Sequence, residues 1–220
     1  LSSVFPHTQK DWAYTGSECP ISQNVSRETF STIHNYVTLL LAWNKKIALI
    51  SRRMTEEDIY LHISDALNIA KQLHHTNAIL EVGSGNGILG ISLAIILNDK
   101  KYFLIERNKK KCAFLQEMKC ALSLPIHIHN TDVKLALIEG IDCIISKAVG
   151  DLLTTLNLCE HLVKPDLFIL LCKNIDQIEK EIREAKKVWS FLQDVEVSDD
   201  SSKRCILKVY NICKINSARP

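Results

Sequence analysis

Residues Ile79 to Ser92 read ILEVGSGNGILGIS. An apolar run, Ala78–Val82, enters Gly83-Ser84-Gly85-Asn86-Gly87, and a second apolar run leaves it. That order predicts a buried strand, a tight glycine turn, and a helix whose amino end points back at the turn. A loop of this kind can cradle a nucleotide, a dinucleotide or an adenosyl cofactor. The residues around it decide among these ligands.

Hydrophobic periodicity organises the rest of the chain. Phe30, Ile33, Tyr36, Val37, Leu40 and Leu41 recur at helical spacing from Glu28, and this helix should end near Trp43-Asn44. Thr55 reads as the N-cap of a second helix, with Glu56, Glu57 and Asp58 in its first turn. Further strands are expected at Tyr102–Ile105, Ile126–His129, Ile141–Ile145 and Leu167–Cys172. Helices are expected at Leu89–Leu97, Lys109–Leu122, Leu152–Leu162 and Ile175–Val188. This alternation predicts a mostly parallel sheet with helices on both faces. Two late strands, Leu192–Val197 and Arg204–Ile212, flank the polar turn Asp199-Asp200-Ser201-Ser202 and predict an antiparallel hairpin at the edge. Residues 1–25 read as a loose arm, 26–76 as a helical extension, 77–214 as the sheet domain and 215–220 as a tail.

Three details narrow the ligand. No G-K-[ST] follows the glycines, which excludes a P-loop. Glu81 sits two residues before Gly83, where a carboxylate suits an ammonium group and opposes a pyrophosphate. Glu106 ends the second strand, where an acid can accept both ribose hydroxyls. A cationic, adenosine-bearing ligand satisfies all three, and that is S-adenosyl-L-methionine. The fold class is therefore α/β, a Rossmann-like methyltransferase sheet behind an N-terminal helical extension. A dinucleotide fingerprint can be drawn through Gly85, Gly87 and Gly90, but Glu81 and the leading helices argue against an NAD-dependent oxidoreductase.

The ordered motifs around the loop carry a resemblance. Leu41-Ala42-Trp43-Asn44-Lys45-Lys46, Leu61-His62-Ile63-Ser64-Asp65-Ala66-Leu67, Val82-Gly83-Ser84-Gly85-Asn86-Gly87, Glu106 with Lys110-Lys111 and Phe114-Leu115, Ile145-Ser146-Lys147-Ala148, and Leu171-Cys172-Lys173 appear in sequence. In that order they resemble the small-subunit rRNA guanine-N7 methyltransferases, RsmG, also called glucose-inhibited division protein B. The resemblance covers about Phe30 to Ile212. It implies methyl transfer from S-adenosyl-L-methionine to N7 of a guanine, 527 in the usual numbering, in the 16S rRNA of the small (30S) ribosomal subunit. The chain departs from the family pattern at Leu89 and Ser92, where the family has prolines. It departs again at Lys147, where the family has arginine, at Asn174 for a glycine, and at Ala48 for an asparagine. Those departures motivate a rival reading, a ribosome-binding or assembly protein with weak or no methyl transfer.

The resemblance and the strand ends together nominate site residues. Glu81, Gly83, Gly85, Gly87 and Ile88 are expected against the methionine and ribose parts of the cofactor, and Glu106 against the ribose. Asp132 and Val133, followed by Lys134, are expected to border the adenine. Lys147 is the candidate positioning or electrostatic group and a candidate cofactor contact, and Lys173 a candidate RNA contact. Lys45 and Lys46 with Arg52 and Arg53 form the better candidate RNA patch, because they flank Trp43-Asn44 and the net charge is only +2. Lys109-Lys110-Lys111 reads as a solvated helix face. Trp43 reads as core packing. His62 and Asp65 share one helical face, either bracing the extension against the sheet or reaching the substrate.

The remaining composition sets bounds. Eight cysteines with no C-x-x-C pair, mostly inside apolar runs, read as reduced and buried, which fits a cytoplasmic protein. His127 and His129 lack neighbouring ligands at metal spacing, so no metal site is expected. No run approaches the ~20 apolar residues that span a bilayer. The first 20 residues lack the apolar core of a signal peptide. Nothing points to an obligate protein partner.

Overall fold

A computed structural model describes residues 19, 21–198 and 203–215. The expected arm at 1–25 falls largely outside these residues. So do the polar turn 199–202 and most of the tail.

Among the described residues, seven strands and six α-helices follow in order: α1 (Arg27–Asn44), α2 (Glu56–Ala70), β1 (Ala78–Val82), α3 (Ile88–Ile96), β2 (Lys101–Ile105), α4 (Lys109–Ala121), β3 (Ile126–His129), β4 (Cys143–Lys147), α5 (Leu152–Cys159), β5 (Phe168–Asn174), α6 (Ile175–Ala185), β6 (Trp189–Val197) and β7 (Arg204–Lys214). The sheet order is β3-β2-β1-β4-β5-β7-β6. β1 pairs in parallel with both β2 and β4, whereas β7 runs antiparallel to β5 and to β6. The chain therefore winds outward from β1 to β3, then crosses back to β4. The carboxyl ends of β1 and β4 bound the switch point, where open α/β sheets receive ligands.

Local chemistry explains the element boundaries that place this crevice. Ser26 caps α1 by accepting from the Thr29 N–H at 3.1 Å. Thr55 and Asp58 form a reciprocal capping box on α2. β1 is buried along its whole length, as a strand covered on both faces must be. α1, α2 and α3 share one face of the sheet with α4: Ile33, Tyr36, Ile63, Ile91 and Leu115 belong to one continuous apolar cluster. α5, α6 and Trp189 fill the other face.

Several boundaries differ from expectation. β4 begins at Cys143, because the Asp142 carboxylate accepts the Asn77 and Ala78 N–H groups at 2.8 and 3.0 Å and ties 142 to the start of β1. The helix expected to reach Leu162 is α-helical only to Cys159, then tightens into a 3₁₀ turn, Glu160–Leu162. α6 stops at Ala185, and β6 starts early, at Trp189.

Candidate cofactor and substrate site

The glycine loop is built from beneath by Glu81. Its side chain is buried, 3% exposed, and Oε1 accepts the Gly90 N–H at 3.2 Å. Gly90 is required here, since a Cβ at that position would overlap Oε2. Oε2 itself has no hydrogen-bond partner among the described residues. Burial pushes the Glu81 carboxyl up to about 7, with the neighbouring Ser84 side chain and then the Gly90 N–H offsetting part of the rise.

Glu106 ties the loop to β2. Its Oε2 accepts the Gly85 N–H at 2.9 Å and its Oε1 accepts the Asn108 N–H at 2.7 Å. Each oxygen keeps a second lone pair for a ligand hydroxyl. The loop is clamped from the other side by the helical extension. The Tyr36 hydroxyl donates to the Asn86 carbonyl at 2.8 Å, and Asn86 Nδ2 donates to the Leu49 carbonyl at 3.3 Å. Asn86 Oδ1 accepts the Ile88 N–H at 3.1 Å and so caps α3. Neither Tyr36 nor Asn86 was nominated from the sequence. Tyr36 looked like one more apolar member of a helical stripe.

Two adjoining clefts result. The first, of about 390 Å³, is lined by Glu106, Arg107, Asp132, Val133 and Val149. The second, of about 340 Å³, is lined by His62, Glu81, Gly85, Ile88, Leu89 and Lys147. Gly83, Lys111 and Ala148 line both. Lys111 was expected on a solvated face, and its place at the shared wall is new. Ala148 adopts φ of 61°, a strained conformation for a residue with a Cβ, at the point where β4 delivers the chain to the crevice. Both clefts fall within the usual size range of small-molecule sites.

Two nominated residues stand elsewhere. A Cβ on Gly87 would overlap Ile91 and press on Leu115, so Gly87 faces the core and starts α3 in a left-handed conformation. Lys134 is exposed and lines neither cleft; its N–H is bound by Asp132 at 3.0 Å.

The expected contacts of Lys147 and Lys173 also change. Lys147 Nζ donates to Asp65 Oδ2 at 2.8 Å, to His62 Nδ1 at 2.9 Å and to the His62 carbonyl at 3.5 Å. All three of its N–H groups are engaged inside the protein, so none is left for a cofactor carboxylate or an RNA phosphate. Asp65, 3% exposed, also pairs with Arg204 at 3.2 Å. Burial and the Lys147 ammonium hold the His62 pKa below its ordinary value. Lys173 pairs with Glu181 at 2.8 Å and donates to the Gly150 carbonyl, with a side chain only 10% exposed. It serves the β5–α6 junction in this structure.

Lys45, Lys46, Arg52 and Arg53 are all exposed in and beside the α1–α2 connection. Arg53 reaches a cleft. That third cleft, of about 430 Å³, is lined by Arg53, Met54, Asp58, Leu61, His62 and Arg204. Met54 and His62 line the second cleft as well. Trp43 packs edge-on against Phe114 at 5.8 Å, while Asn44 Oδ1 accepts the Leu49 and Ile50 N–H groups and shapes the connection.

The family described as GidB, rRNA small subunit methyltransferase G, matches residues 29–207, from the first turn of α1 into β7. The chain belongs to this family. A curated member from Methylorubrum populi, named ribosomal RNA small subunit methyltransferase G, is 30% identical over 88% of this chain and 93% of its own length. A S-adenosylmethionine-dependent methyltransferase of Aquifex aeolicus shares the fold at a TM-score of 0.52, with 16% identity, over 69% of this chain and 91% of that one. A variant of MtNAS in complex with S-adenosylmethionine does so at 0.57, with 11% identity, over 84% and 76% of the two chains. Both clefts and the Asp65 cluster lie inside the segment matched to rRNA small subunit methyltransferase G. Membership does not favour a purely structural, non-catalytic role. Among the described residues no helix is long and apolar enough to cross a membrane, and no group of side chains could hold a metal ion.

Proposed function

We propose that this chain transfers the methyl group of S-adenosyl-L-methionine to N7 of guanine 527 (usual numbering) in the 16S rRNA of the small ribosomal subunit. One observation carries the cofactor assignment: a buried carboxylate oxygen, Glu81 Oε2, stands without a hydrogen-bond partner under a glycine loop, and Glu81 lines the cleft there. An unpaired carboxylate at such a place calls for a cationic ligand. The ammonium of the methionine moiety fits it, Gly83 and Gly85 leave main chain accessible beside it, and Ile88 lines the same cleft. Glu106 accepts the ribose hydroxyls, and Asp132 with Val133 borders the adenine across the first cleft.

The bound cofactor supplies an electrophilic methyl group on a sulfonium. The protein supplies alignment. Guanine N7 carries an available lone pair, so the reaction needs no general base, and proximity with in-line orientation accounts for the rate. The sequence is consistent with this chemistry: it has no N-P-P-Y segment for an exocyclic amine and no Pro-Cys nucleophile for attack on a cytosine. Lys45, Lys46, Arg52 and Arg53 form the phosphate-contacting surface beside the third cleft, a salt-dependent interaction.

Methyl transfer from labelled cofactor to small subunits, followed by mapping of the modified base, tests the proposal. A labelled N7 at guanine 527 is the expected result. Absence of transfer, or tight binding of NAD in place of the methyl donor, overturns it.

A further inference from the structure

Resting on the guanine-N7 reading, we propose that His62 determines base specificity, its Nε2–H donating to O6 of the target guanine, with Lys147 as the positioning residue that fixes this tautomer.

The geometry begins with Lys147. An ammonium group has only donors, so a hydrogen bond from Lys147 Nζ to His62 Nδ1 at 2.9 Å requires Nδ1 to be unprotonated. The ring proton then resides on Nε2. Lys147 cannot turn away, because Asp65 holds it at 2.8 Å, and Asp65 is held in turn by Arg204. Nε2, on the far side of the ring from Lys147, makes no hydrogen bond among the described residues. His62 is therefore a neutral, oriented, unpaired donor.

Its location matches a base-reading role. His62 and Met54 form the wall shared by the second cleft, where Glu81 and the glycine loop lie, and the third, whose charged lining is Arg53, Arg204 and Asp58. An acceptor base occupying the third cleft meets the methyl-donor side at this wall. The neighbouring cleft around Lys173 has its charges paired already, Lys173 with Glu181 and Lys147 with Asp65.

The Hoogsteen edge of guanine presents two acceptors, N7 and O6, whereas adenine presents N7 and an N6 donor. A donor placed at O6 selects guanine and leaves the N7 lone pair free. At adenine the same group would face another donor. Methylation at N7 leaves the base cationic, and a neutral imidazole does not oppose that charge as an imidazolium would. One hydrogen bond to this half-buried donor discriminates by about tenfold, because the wrong base leaves the donor unpaired.

The test combines a spectrum with a substrate-analogue cycle. Nitrogen-15 NMR of the full chain should show His62 as the Nε2–H tautomer, and Lys147→Met should convert it to a mixture. An Nδ1–H tautomer in the unsubstituted protein overturns the proposal. Small subunits reconstituted with guanine or 2-aminopurine, which lacks O6, at the acceptor position are then compared. We expect about a tenfold loss in kcat/KM for 2-aminopurine with the unsubstituted protein, and a similar loss for His62→Ala on guanine. His62→Ala should add little further loss on 2-aminopurine. His62→Gln, which retains an N–H donor, should recover part of the activity. Losses that multiply mean that His62 and O6 act independently, and they sink the proposal while guanine transfer stands. No transfer by the unsubstituted protein to guanine subunits, or equal transfer when 7-deazaguanine removes N7, removes the guanine-N7 reading and the proposal with it. Thermal midpoints identify any variant that fails to fold, and the tautomer measurement decides in that case.

Discussion

Glu81→Gln should stabilise the protein at alkaline pH while weakening cofactor binding, an opposition that follows from one buried carboxyl. Burial raises the Glu81 pKa from 4.5 to about 7. The folded state therefore holds a proton that the unfolded state has released. Stability from this group is fully present below about pH 4.5, declines by about 1.4 kcal/mol per pH unit above it, and is lost once pH passes about 7. The whole span amounts to about 3 kcal/mol. Glutamine keeps an oxygen for the Gly90 N–H and cannot ionise. Urea unfolding at pH 5.0 and pH 8.5 measures the contrast. The stability of Glu81→Gln relative to the unsubstituted protein should rise by about 2–3 kcal/mol between the two conditions. A cationic ligand favours the ionised form of Glu81. Binding of S-adenosylmethionine to the unsubstituted protein should therefore strengthen from pH 6 to pH 8 with release of a proton, and binding to Glu81→Gln should be weak and nearly flat. A stability difference that stays constant within about 0.5 kcal/mol across this range would refute the reasoning, because Glu81 would then ionise as freely in the fold as in the unfolded chain.

Other substitutions separate the roles of neighbouring residues. Gly85→Val has room for its side chain, the nearest outside atom to a Cβ being the Gly83 carbonyl oxygen at 3.7 Å, but it must hold φ at +57°. It should cost about 1–2 kcal/mol in stability and abolish cofactor binding by calorimetry, and retained affinity would contradict the loop assignment. Gly87→Val, which drives a branched side chain into Ile91 and Leu115, should cost more, about 3 kcal/mol or above in urea unfolding. Asp65→Asn leaves Lys147 and Arg204 without their shared carboxylate. A loss of about 3 kcal/mol, or about 6–12 °C in the thermal midpoint, is expected, and under 1 kcal/mol would mean that the cluster holds little of the α2 contact.

The sheet was legible because its strands are short apolar runs between strong punctuation. Ala78–Val82 and Ile126–His129 match the expected ranges, and the late antiparallel pair is the edge hairpin that its polar turn predicted. The start of β6 was not legible. Trp189 and Phe191 are buried while Leu192, Val195 and Val197 are exposed, so apolar residues do not mark one buried face along β6, and a register shift lies between Ser190 and Leu192. The amino end of β4 was equally obscure. Asp142 looks like the middle of an apolar run, but its role is to accept two N–H groups from the start of β1.

The site divides the same way between local and distant information. Glu81, Gly83, Gly85, Ile88, Glu106, Asp132 and Val133 follow strand ends at fixed spacing, and the structure gathers them along two clefts. Lys147 was nominated from its motif, yet its partners Asp65 and His62 lie 82 and 85 positions away in the chain. Arg204 joins them from 139 positions beyond Asp65. No periodicity reports such a pairing. It exists because α2 crosses the carboxyl ends of the strands and presents its His62–Asp65 face to β4 and β7.

The loop departures are best understood through that same crossing. Prolines at 89 and 92 would stiffen the start of α3 through their fixed φ. Leu89 and Ser92 give up that stiffening. Leu89 instead lines the second cleft, and Ser92 is fully buried with an unpartnered hydroxyl, a substitution nothing in the structure explains. The rigidity of the loop is supplied from outside it. Tyr36 on α1 holds the Asn86 carbonyl, the Leu49 carbonyl holds the Asn86 amide, and Asn86 caps the helix that prolines would otherwise have fixed. Three hydrogen bonds, drawing on three parts of the chain, replace two pyrrolidine rings. The helical extension is thus a component of the glycine loop as much as a partner for the sheet, and its packing on α3 is what keeps Glu81 covered and Gly85 open.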